Sequence, residues 1–298
     1  MSDPDTPATP RRASSRRGTR DLVRDPIAST LARMTGPVIG GIVTMMLFNL
    51  VDAWFIAQLG TPELAAVTMT FPVTFGVISI AIGLSIGTTA VVGRRLGRGE
   101  LETVKARTTD SSLLGLLLGL VMLVLGLASI EPLFGLLGAD DTLMPHIRDY
   151  MQVWYFGAPF VLLPRVLSSV LRAEGNTLVP SLVMAAAGVL NALLDPLLIF
   201  GIGDWQGMGV AGAALATVLS WLAMTLGLLA LPLLRARLDF RHLSVMRLVT
   251  SWREVGAIGL PAALTSVMTP IATALVTRIV SQHGHAAVAA YGIGSRIE

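Results

Sequence analysis

Two carboxylates stand where hydrocarbon should exclude them. Of the 19 Asp and Glu residues in this 298-residue chain, all but Asp52 and Asp195 fall in polar connections, in the N-terminal stretch or at the last position. A carboxylate at the centre of a bilayer costs on the order of 3 kcal/mol on insertion scales, and those retained there usually serve an ion or proton pathway. Each of the two lies eight residues before a glycine that closes its apolar run, Gly60 or Gly203. At about 1.5 Å per residue both sit ~12 Å inside the same boundary. Asn191, four residues before Asp195, shares its helical face, and Asn49 precedes Asp52 by three. Thr217, in the following run, falls at a similar depth. Two acids brought together in a dry site either share a proton or hold a cation such as Na⁺ between them. The plainer reading is that both acids hydrogen-bond neighbouring helices.

The elements that must position these residues are membrane spans. The chain is 53% apolar and 14% charged, with a mean hydropathy of +0.70, whereas a soluble domain carries roughly 25% charge. With no cysteine, a disulfide scaffold is excluded, and the apolar content excludes a disordered or collagen-like chain. Helical spans need about 20 apolar residues. Charge-free runs cover Leu64–Gly93, Ser111–Ile130, Trp205–Leu234 and Val255–Thr277, and runs with one internal charge cover Met34–Leu59, Met151–Leu171 and Ser181–Ile202. These predict seven full spans and an eighth starting near Ala286. Barrel strands would alternate over about ten residues instead.

Of 22 Lys and Arg, 18 fall in the N-terminal stretch to Arg33 and the connections 93–110, 172–180 and 235–254, against Arg148 alone in the connections of the opposite side. This asymmetry predicts a multi-pass protein of the cell (inner) membrane with a cytoplasmic N-terminus. It also explains the basic pI of 9.9 without nucleic acid as a partner; the lipid bilayer is the expected one. Residues 1–33 read as a disordered basic tail, 34–234 as a six-helix lobe, 235–254 as a cytoplasmic linker and 255–298 as the start of a second lobe, cut short.

The second lobe is expected because the chain repeats. At an offset of 224, Pro37 falls on Pro261, Gln58-Leu-Gly60 on Gln282-His-Gly284, and Ala65-Ala66 on Ala289-Ala290. A six-span unit returns the chain to its starting side, so the units form a parallel repeat, an arrangement of transporters whose cargo lies between two halves. Pro37 is then a candidate hinge in the first span. Arg165 and Arg278 lie close enough to span ends to snorkel to the surface. His283 and His285 flank a glycine in an outer loop, a weak case for metal or pH sensing. The glycines of Gly93–Gly99 follow a membrane helix, which argues against nucleotide binding.

Several stretches together carry a family likeness. Asn49-Leu-Val-Asp52, Gln58-Leu-Gly60, Arg172-Ala-Glu-Gly-Asn-Thr177, Asn191-Ala-Leu-Leu-Asp195-Pro196 and Gly209–Thr217 resemble, in order and spacing, the multidrug and toxin extrusion (MATE) family. The acid in the first span with an Asn-x-x-x-Asp pair in the fifth is similar to its DinF-like branch. The resemblance implies an all-α polytopic helical bundle of two six-helix lobes, monomeric at full length. It implies an antiporter that exports cationic or amphipathic organic compounds in exchange for H⁺ or Na⁺. The ion site implied is Asp52, Asn191 and Asp195, with Thr217 and Asn49 beside it, and the implied hinge is Pro37. The coupling ion stands in place of any cofactor, and no metal site or enzyme chemistry is expected. Alternative readings are a lipid-linked oligosaccharide flippase, which would want a cationic central cavity, and a non-transporting structural or receptor membrane protein.

Overall fold

The computed structural model describes residues 27–240 and 243–295. The stretch expected to be a disordered tail lies outside them up to residue 26, and its last residues are already helical. The helices are α1 (Ile27–Ala57), α2 (Thr61–Gly97), α3 (Leu101–Leu136), α4 (Met144–Phe156), α5 (Ala158–Ala173), α6 (Leu178–Phe200), α7 (Val210–Ala230), the single turn α8 (Pro232–Arg235), α9 (Val245–Ser281) and α10 (His285–Gly294). Between α6 and α7 a two-residue hairpin pairs β1 (Gly201–Ile202) with β2 (Trp205–Gln206).

Among the described residues six helices are long and apolar enough to cross a membrane, α1, α2, α3, α6, α7 and α9. The remaining expected span is the pair α4 and α5, bent by 43° at Gly157. Gly157 is followed by Pro159 in the first turn of α5, where a missing N–H does no harm. Two boundaries differ by ten residues from the hydropathy reading. α3 starts at Leu101 rather than Ser111, so the stretch 101–110 is helix, and α9 starts at Val245, ten residues inside the expected linker. In both cases charged residues compensate one another at the helix base, which a hydropathy window reads as loop.

The internal repeat is visible in the boundaries themselves. α1 ends at Ala57 and α9 at Ser281, α2 begins at Thr61 and α10 at His285, and each boundary recurs after 224 residues. The turns match too. Gly60 and Gly284 cap α2 and α10 at φ of +152° and +91°, backbone angles that disfavour any side chain.

Packing along the bundle depends on close backbone approaches. α9 lies along α2 and crosses it at glycines: a Cβ on Gly259 would meet the Gly83 carbonyl oxygen at 2.7 Å, and one on Gly87 would meet the Gly259 nitrogen at 3.1 Å. Small residues at a crossing let membrane helices meet where no hydrophobic force drives them together. α1 leans on α6 in the same way, with a Cβ on Gly41 falling 2.7 Å from Met184 Cε, and touches α2 far less. Ile56, Met69, Phe134, Ile147, Met151 and Trp154 form the main core toward the end that carries the β1–β2 hairpin. Val92, Leu167, Leu171 and Leu228 form a second cluster toward the opposite, basic end. The outward faces of α1, α3 and α9 stay apolar and exposed, as at Leu47, Val124, Leu264 and Met268, which suits a lipid surround.

Charge pairs close the basic end. Asp110, fully buried in α3, accepts from Arg247 Nη2 at 2.7 Å and Nε at 3.1 Å. Its backbone carbonyl accepts from Trp252 Nε1 at 2.9 Å. Glu254 of α9 accepts from Arg107 of α3 at 3.0 Å and from Arg95 of α2 at 3.4 Å. Glu174, after α5, lies 2.6 Å from Arg237 Nε.

Candidate functional site

One cavity of about 460 Å³ opens among α1, α2, α4, α5, α6 and α7, within the range of small-molecule sites. α1 contributes Asn49 and Asp52, α6 contributes Asn191, and α7 contributes Thr217 to its lining. Asp195 does not line the cavity. It is fully buried one layer behind, where the Asn191 carboxamide donates to its Oδ1 at 3.3 Å. The two acids are electrostatic neighbours across the α1–α6 packing. Asp195 Oδ2, also buried, has no hydrogen-bond partner among the described residues, and an orphaned buried acceptor is a place where a proton or ion would be held. The Thr217 hydroxyl is turned to its own helix and donates to the Ala213 carbonyl at 3.1 Å. Pro37 stands outside the lining, next to Val38, and α1 runs unbroken through it.

The structure therefore brings four of the five expected ion-site residues to one cavity wall and sets the fifth behind them, in contact through Asn191. Aromatic rings furnish much of the rest. Phe71 and Phe75 stack at 5.8 Å with 23° between their planes, and Trp154 meets Trp221 edge-on at 5.5 Å. All four line the cavity.

The sequence reading missed the cavity's positive charge. Arg165 does not snorkel to the surface; it lines the cavity together with Arg172 of the same helix. The reason is the 43° break at Gly157, which gives α5 its own direction and turns the Arg165 face inward. A signal was present in the spacing, since residues 165, 168 and 172 recur at helical intervals and share one face. The charged lining thus comprises one acid, Asp52, and two arginines.

Comparison with known proteins decides the family. The MatE family model matches residues 37–197, more than half of the chain. The chain belongs to the MATE family. This MATE chain is 41% identical over 278 residues to the FAD transporter of Shewanella oneidensis, covering 93% of its own length and 62% of that relative. It is 27% identical over 263 residues to the multidrug export protein MepA of Staphylococcus saprophyticus, covering 88% of itself and 57% of MepA. Among solved structures, an outward-facing multidrug resistance MATE family transporter superposes with a TM-score of 0.74 at 31% identity, over 82% of this chain and 53% of that one. The MATE chain thus spans less than two thirds of the length of these relatives. Members of the family are transporters rather than enzymes, and the multi-pass helical bundle agrees with that membership.

Proposed function

We propose that this chain is the ion-binding part of a secondary antiporter that exports small amphipathic organic compounds in exchange for H⁺ or Na⁺. The observation that carries the reading is the pairing of Asp52 with Asp195. One acid faces the cavity, the other is buried behind it with an open Oδ2, and Asn191 links the buried acid to the same wall. Two carboxylates this close are relieved by a proton or a monovalent cation. Whatever relieves them changes the charge of the wall a cargo meets, which is the coupling an exchanger requires. Asn191 positions Asp195, Asn49 and Thr217 supply further oxygens nearby, and Pro37 is the point at which α1 can flex. The acid in α1 with Asn-x-x-x-Asp in α6 supports the DinF-like branch.

The cargo reading draws on the cavity's rings and on what the relatives are called: one is an FAD transporter, another a multidrug export protein. Both names fit planar, partly apolar compounds. The excess of Arg and Lys at one end supports a cytoplasmic placement of that end in an inner membrane, and the parallel repeat supports a monomeric transporter. The test is flux. The full-length protein in sealed vesicles should dissipate an imposed pH or Na⁺ gradient when cargo is added on the other side. Cargo movement with no ion movement would overturn the reading.

A further inference from the structure

Several arginines at the helical ends are met by acids. Arg247 has Asp110, Arg107 and Arg95 have Glu254, and Arg95 also has Glu100. Arg165 and Arg172 differ. Glu174, the acid nearest to Arg172 in sequence, is taken by Arg237. Arg172 donates from Nη2 to the Ser85 hydroxyl of α2 at 2.8 Å, which orients the guanidinium without neutralising it. Arg165 makes no hydrogen bond or ion pair among the described residues and lies within electrostatic reach of Arg172. Between them on the same face stands Ser168, 3% exposed and lining the cavity, with an Oγ that has no partner among the described residues. Two like charges and an unsatisfied hydroxyl, kept together at membrane depth, are expensive unless an anion visits them.

We propose that Arg165, Ser168 and Arg172, with Ser85 opposite, form a phosphate-binding subsite that takes the anionic end of a phosphorylated, ring-bearing cargo. Guanidinium forks match phosphate oxygens two at a time, which an ammonium does not. Ser168 supplies a neutral donor of the kind that completes such a cradle. The ring of the cargo then lies toward Phe71, Phe75 and Trp221, whose faces suit a planar heterocycle. The subsite assigns a cargo class to the cavity of the proposed antiporter and rests on that reading, while acting on the wall opposite the acids. Occupancy is by a soluble phosphorylated compound, not by a lipid headgroup.

The test uses the purified full-length protein in phosphatidylcholine nanodiscs carrying a minor share of phosphatidylglycerol, and three flavins that differ in phosphate: riboflavin with none, FMN with one and FAD with a pyrophosphate. Binding is read by quenching of flavin fluorescence. FAD and FMN should bind at least about tenfold more tightly than riboflavin, the range expected of hydrogen bonds to a charged group. Arg165→Gln and Arg172→Gln should each shrink that preference about tenfold while leaving riboflavin affinity unchanged, which also reports that the cavity is intact. Arg165→Lys, a milder change, should retain part of the preference, and Ser168→Ala should weaken FAD several-fold. Wild-type protein that binds no flavin nucleotide, or binds riboflavin as tightly as FAD, would overturn the proposal. So would loss of bound phosphatidylglycerol in Arg165→Gln with FAD affinity as in wild type, which would make the arginines a lipid site. The coupling reading fails separately, when Asp195→Asn leaves ion-driven exchange intact, and that outcome does not touch the flavin preference.

Discussion

Asp110 and Arg247 are joined by two hydrogen bonds, at 2.7 and 3.1 Å, although Asp110 is fully buried and 137 positions away in the chain. The pair ties α3 to the base of α9, so the first six-span unit and the start of the second are held at the basic end by charge rather than by apolar contact alone. A buried pair of this kind is weak evidence of net stability, but removing one partner leaves the other charge uncompensated.

Asp110→Ala should therefore destabilise the bundle by up to about 3–5 kcal/mol, the cost of losing the charge contacts that Asp110 makes with Arg247 and Arg107. Adding Arg247→Met to that variant should recover a large part of the loss. Thermal unfolding in detergent, run as a double-mutant cycle, measures the coupling, and strictly additive losses would show that the pair does not act as one unit.

Asp195→Asn keeps a side chain that can pair with Asn191 and removes the charge that faces Asp52. The variant should fold with unchanged or slightly higher stability and should lose ion-driven exchange. Asp52→Asn should do the same from the cavity side. Thermal melts together with vesicle flux separate the two effects, and normal flux in both variants would remove the acids from the mechanism.

The α2–α9 crossing tolerates no side chain at Gly83, where the backbone and Cβ of Ala263 approach. Gly83→Leu should cost at least about 1–3 kcal/mol as an overpacked site. Gly76 lies on the same helix with nothing within 4 Å of its would-be Cβ. Gly76→Ala should be neutral or stabilising by up to about 1 kcal/mol, since alanine favours helix over glycine. Melting temperatures of the two variants side by side give the comparison.

Outside the membrane-spanning segments, Asp140 contacts His285 Nε2 at 2.7 Å and accepts from the backbone N–H groups of Leu143 and Thr142. The His285 hydrogen bond, opposed by desolvation and helped by the Leu143 amide, holds the Asp140 carboxyl below its ordinary 3.8. A carboxyl held below its unfolded value adds stability that is complete above that value and fades as pH falls through the folded one. Stability should thus decline somewhat as acid approaches and passes below about pH 4, and the decline should be smaller in His285→Ala. The effect is modest because the Asp140 side chain is 53% exposed. Unfolding midpoints across pH 7 to about 3 in both proteins give the answer.

Much of this was legible in the sequence because membrane insertion makes charge conspicuous. Asp52 and Asp195 stood out as acids in apolar runs, and their approach across α1 and α6 follows from similar depth on helices that pack together, although the depth count does not reveal that Asp195 stands behind the cavity wall rather than in it. The 224-residue repeat was legible because helix ends need glycine at fixed positions, and Gly60 and Gly284 mark them. Arg165 was not legible as a cavity residue, because its depth was counted along a span assumed straight, while the chain turns at Gly157. Asp110 was assigned to a connection because hydropathy begins at Ser111. Its burial depends on Arg247, whose arrival is a tertiary event that no local window contains.

The cavity has two faces of opposite sign. Asp52 of α1 stands on one, with Asp195 of α6 buried behind it, and the arginines of α5 on the other, while α1 touches α2 far less than it touches α6. Opposite charges on facing walls pull toward each other, more strongly in a dry gap than in water. Under the proposed exchange, a proton or cation at the acidic face would slacken that pull and leave the arginine face freer to hold an anion.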